Sequence, residues 1–130
     1  QFRITLNPED MSAGRKLFED LAAAGISVGS LNLSEKEAMF AVFSPDVDRT
    51  CEVLDNTEFK YVLNTGCGKV TVVGNAMRGV PGVMATFVAA LSSKKIAILQ
   101  TVDSDTTISA IIKEECLNEA VKALHEAFKL

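Results

Sequence analysis

The residues with the most chemical reach sit in two polar stretches, Gly74 to Gly82 and Thr101 to Thr107, and among scattered acids, three cysteines and one histidine. Gly74-Asn-Ala-Met-Arg-Gly79 has the two-glycine spacing of a phosphate loop. It is followed by Val80 and Pro81, where such a loop needs a lysine and then a hydroxyl, so nothing there would hold a γ-phosphate. His125 is the only histidine and has no Cys or Asp at ligand spacing. One histidine does not make a zinc site, and it reads as a helix-surface residue. Glu35-Lys-Glu37 and Lys113-Glu-Glu115 fall at a hairpin turn and a helix start, where solvated charge is the ordinary role. Cys51, Cys67 and Cys116 are odd in number and lack metal-ligand spacing. They read as reduced thiols of a cytoplasmic protein, with Cys51 and Cys116 as buried structural cysteines. No catalytic constellation, cofactor motif or metal site emerges.

Two features do read as binding elements. In the loop from Gly74 to Gly82, Gly79 and Gly82 permit unusual backbone angles, and Pro81 pre-shapes the entry to a helix beginning near Val83. The first amides of that helix would be a natural seat for a carboxylate. The plain alternative is a strand-to-helix turn without a ligand. Thr101-Val-Asp-Ser-Asp-Thr-Thr107 reads either as a long hairpin or as polar side chains reaching a ligand or a neighbouring domain.

The elements that would position these residues repeat. Phe2 to Leu6 and Lys69 to Val73 are alternating strand patterns, each followed by a turn and a helical pattern. Leu17, Leu21 and Ala24 share one helix face in the first copy; Val83, Phe87, Ala90 and Leu91 share one in the second. Second strands are expected at Ile26–Val28 and Ile96–Ile98, 70 positions apart, as are Leu17 and Phe87. The opening strands, aligned as Leu6 against Val73, are 67 apart, which puts three extra residues in the second copy's loop. Third strands follow at Ala38–Phe43 and Ile108–Ile112. Second helices then present Val47, Cys51 and Leu54, and Leu117, Val121, Leu124 and Phe128. A fourth strand, Phe59–Leu63, ends the first copy only.

The pattern is βαββαβ followed by βαββα, an α+β class with two ferredoxin-like units in tandem, residues 1–66 and 67–130. The second lacks one strand, which a segment upstream of Gln1 would supply. Opening on Gln1 rather than Met fits a fragment of something longer. Two small cores of about 65 residues each would need one another or a partner chain. The net charge of −4 argues against a nucleic-acid partner, and no apolar run approaches the roughly 20 residues of a membrane span.

Lys69-Val-Thr-Val-Val-Gly-Asn-Ala-Met-Arg-Gly-Val-Pro-Gly-Val83 resembles the second ACT domain of aspartate kinases. That family shows a strand ending in Val-Gly, then Gly-Met-Arg/Lys, then Pro-Gly-Val or Pro-Gly-Ile. Leu117-Asn-Glu-Ala-Val-Lys-Ala-Leu-His-Glu-Ala-Phe128 is similar to the family's C-terminus. The resemblance implies a parent enzyme that phosphorylates aspartate, with its kinase domain, ATP and magnesium all upstream of Gln1. It implies an ACT pair that binds an end-product amino acid and a strand from before copy one that completes copy two. In the first loop the family carries Asp-Lys-Pro-Gly; here it is Glu9, Asp10, Met11 and Ser12, with Ser12 in the glycine's place. The stretch Gln100 to Ser109 is similar to the diaminopimelate-responsive aspartate kinases of Gram-positive bacteria.

On this reading an amino acid (lysine, threonine or meso-diaminopimelate) sits between strand-to-helix loops and the facing second strands of paired units. Amides near Ser12 and Ala13, or near Gly82 and Val83, take its carboxylate. Loop carbonyls and an acid among Glu9, Asp10 and Asp103 take its ammonium, within an effector set that also includes Met11, Met77, Gly79 and Pro81. A homodimer through the ACT units is expected. The alternative is a ligand-free assembly module of the same enzyme. An acyl-phosphate hydrolase of similar fold would need an arginine in the first loop, and Asn7 to Ser12 has none.

Overall fold

The computed structural model describes residues 1–74 and 81–129. The chain forms two compact units, Gln1–Asn64 and Thr65–Leu130. In the first, β1 (Phe2–Thr5), α1 (Ala13–Ala23), β2 (Gly29–Leu33), β3 (Glu37–Ala41), α2 (Val47–Asp55) and β4 (Lys60–Leu63) follow one another. The sheet order is β2-β3-β1-β4 with every neighbour antiparallel. Alternation along β1 turns Phe2 and Ile4 inward and Arg3 and Thr5 outward. Phe2 and Phe40 stack at 5.5 Å between ring centroids, among Leu17 and Leu21 of α1 and Leu54 of α2.

The second unit runs β5 (Cys67–Val73), α3 (Val83–Ser93), β6 (Gln100–Asp103), β7 (Thr107–Lys113) and α4 (Leu117–Ala127). Its sheet has the order β5-β7-β6. Among the described residues no strand lies beyond β5, in the position that β4 holds in the first unit.

Strand register corrects the internal alignment. Phe2 lies opposite Phe40, and Val70 lies opposite Ala110. The Leu6 amide donates to the Lys36 carbonyl, and the Gly74 amide to the Thr106 carbonyl. Leu6 therefore corresponds to Gly74, an offset of 68, while the helix N-caps Ser12 and Gly82 are 70 apart. The second loop is longer by two residues, not three, because ladder hydrogen bonds rather than apolar likeness set equivalence.

The second strands also lie elsewhere than Ile26–Val28 and Ile96–Ile98; they begin at Gly29 and Gln100. Each isoleucine instead ends a helix. The Ile26 amide donates to the Leu21 carbonyl and Gly25 to Ala22, while Ile96 donates to Leu91 and Lys95 to Ser92. These are paired Schellman stops, whose hallmark is an apolar residue folded back onto the last turn. Both isoleucines are buried for that reason. Thr101–Asp103, expected as part of a polar loop, belongs to β6.

On α4 the face also differs. Val121 is 54% exposed, and Ala120 is fully buried with Ala123 and Leu124. A period of 3.6 allows either position, and the smaller side chain brings the helix closer to the sheet. Its counterpart Thr50 is likewise fully buried, with its hydroxyl donating to the Asp46 carbonyl at 2.7 Å. Cys51 and Cys116, expected buried, are half-buried at the margins of the two cores. His125 is exposed on α4.

Candidate functional site

β1, β4 and the two helices of the first unit bring two connections, β1–α1 and α2–β4, to one end of the sheet. Thr5, the last residue of β1, pairs with Lys60, the first of β4. The β2–β3 hairpin arrives at the same end through the Leu6–Lys36 hydrogen bond. Ser34 shapes that hairpin, its hydroxyl oxygen accepting from the Lys36 and Glu37 amides. Ser104 does the same for Thr106 and Thr107 in the second unit.

Between the β1–α1 loop and the α2–β4 turn lies a groove of about 710 Å³, within the size range of small-molecule sites. Leu6 and Ala13, both nearly buried, form its apolar floor. Asp10, Lys16, Glu58 and Lys60 are its charged lining. α1 begins and α2 ends beside it, so its two sides carry helix-dipole potentials of opposite sign.

The β1–α1 loop is held by its own side chains. Asn7 Oδ1 accepts from the Glu9 amide at 3.0 Å. Asp10 Oδ1 accepts from the Ser12 amide at 3.0 Å and the Ser12 hydroxyl at 2.7 Å. The Asp10 carbonyl accepts from the Ala13 amide at 3.2 Å. The Ser12 hydroxyl, then its amide, hold the Asp10 carboxyl below the ordinary carboxylate range, and Lys16 adds to this. Two amides expected to receive a ligand carboxylate, Ser12 and Ala13, are thus occupied within the loop.

The opposite wall is equally bonded. The Thr57 hydroxyl donates to the Leu54 carbonyl at 2.6 Å and accepts from the Phe59 amide at 3.2 Å. The Tyr61 hydroxyl donates to Asp55 Oδ1 at 2.7 Å, and this bond pushes the phenol well above its usual range.

Of the residues expected from sequence, Asp10 and Ala13 line the groove. Glu9, Met11 and Ser12 are exposed outside its lining, Met11 at 97%. Pro81, Gly82 and Val83 stand at the start of α3, with Gly82 left-handed at φ +81° as N-cap. Asp103 closes β6 opposite Ile108. Met77 and Gly79 lie outside the described residues. Sequence reasoning missed Lys16, Asn56, Thr57, Glu58 and Lys60, which no motif marks. Lys16 stands on α1 directly after the first loop, and only the antiparallel pairing of β1 with β4 brings the other four to it.

The described residues contain no cluster of three or more His, Cys, Asp or Glu able to hold a metal ion. Nor do they contain a helix long and apolar enough to cross a membrane.

A family model described as the ACT domain matches residues 62–126, half of the chain. The chain belongs to the ACT-domain family. This ACT chain is 35% identical to Aspartokinase 1 of Bacillus subtilis (strain 168) over 130 residues, covering 100% of the chain and 32% of that protein. It is 49% identical to the aspartokinase of Mycolicibacterium smegmatis over 63 residues, 48% of the chain and 15% of that protein. It thus spans about a third or less of the length of these relatives. The regulatory subunit of aspartate kinase from Thermus flavus superposes with a TM-score of 0.89 at 25% identity, covering 98% of this chain and 90% of that one. ACT units of the ferredoxin-like type and similarity to the regulatory part of aspartokinases are therefore established together.

Proposed function

We propose that this ACT chain is the amino-acid-sensing region of an aspartate kinase, binding an end product and feeding back on aspartate phosphorylation. The observation that carries the reading is the likeness, over nearly the whole chain, to a regulatory subunit of aspartate kinase. The effector is lysine, threonine or meso-diaminopimelate, and the Gln100 to Ser109 stretch favours the last. The kinase domain, with its ATP and magnesium, precedes Gln1, and a strand from that side completes the β5 edge. The protein works in the cytoplasm as a homodimer of ACT units. Leu31 and Leu33, 44% and 55% exposed on edge strand β2, support such pairing. A bound effector shifts the dimer only in so far as it prefers one arrangement, and a coupling of about 1–3 kcal/mol is ordinary for such feedback.

Calorimetric titration of the chain with lysine, threonine and meso-diaminopimelate in turn tests this. Saturable binding of one compound is expected. Absence of binding to all three by a folded chain would sink the sensing role. One observation favours a second reading, a ligand-free assembly module: the first loop already uses its Ser12 and Ala13 amides internally.

A further inference from the structure

We draw no further inference here: the strongest candidate, the uncharged outer face of α3 formed by Met84, Ala85, Val88 and Ala89, is an exposed apolar helix face, and nothing among the described residues shows what covers it.

Discussion

Asp10 satisfies the first amides of α1 within its own loop, taking Ser12 on its carboxylate and Ala13 on its carbonyl. Its carboxylate takes the Ser12 amide and hydroxyl together, at an N-cap in ordinary right-handed backbone with φ −93°. Because the folded-state value of the Asp10 carboxyl is lowered, its stabilising contribution is complete above the unfolded value. That contribution is lost as pH falls through the lowered one. Titration of the Asp10 side-chain carbon by NMR should give a midpoint below the ordinary carboxylate value. Ser12→Ala should raise that midpoint, since the hydroxyl is the largest cause of the shift. A midpoint unmoved by Ser12→Ala would show that the hydroxyl bond is absent in solution. The serine was legible in sequence as a departure from the family loop; its bonds to Asp10 were not, because a hydrogen bond two residues away leaves no periodic trace.

At the scale of elements, the two units use one set of stops and turns. Gly25 and Lys95 occupy the same left-handed position after α1 and α3, at φ +72° and +58°. Nothing lies within 4 Å of a Cβ added at Gly25, so the cost of a side chain there is one of backbone conformation alone. A non-glycine residue in that region costs roughly 1–2 kcal/mol, offset in part by the extra freedom glycine loses on folding, about 0.5–1 kcal/mol. Lys95→Gly should therefore stabilise the second unit by about 0.5–1 kcal/mol, and Gly25→Ala should destabilise the first by about 1 kcal/mol. Urea unfolding midpoints measure both; a loss of stability in Lys95→Gly would contradict the shared-stop reading. The apolar residues that close these stops look, in sequence, like the first residues of strands. Ile26 and Ile96 therefore read in sequence as strand starts: a Schellman stop and a strand start both ask for an isoleucine after a turn.

For the molecule as a whole, both sheets leave edge strands unpaired among the described residues. β2 is an edge strand, and Leu33 lies opposite the buried Ala38, so it faces the helix side of the sheet while staying more than half exposed. Leu31 lies two residues before it on the same strand and is also exposed. If the proposed homodimer forms through this edge, Leu33→Lys should raise its dissociation constant by about tenfold or more, since a buried unpaired charge is costly. Sedimentation equilibrium measures this. Equal dimer strength in the variant would remove β2 from the interface. Among the described residues the second unit's sheet has three strands with β5 at one edge, and the lack of a counterpart to β4 was legible from sequence because counting strands between helices needs no tertiary information.

The sequence by itself determined the repeat, the order of strands and helices and the family. All of these rest on local periodicity and on short runs of residue types. Tertiary structure alone decided that Ala120 rather than Val121 faces the core, since both satisfy the helical period and only the distance to the sheet separates them. It also decided that Lys16, Glu58 and Lys60 share a groove with Asp10. Asp10 and Lys16 lie far in the chain from Glu58 and Lys60, and only the β1–β4 ladder that pairs Thr5 with Lys60 brings the two loops together.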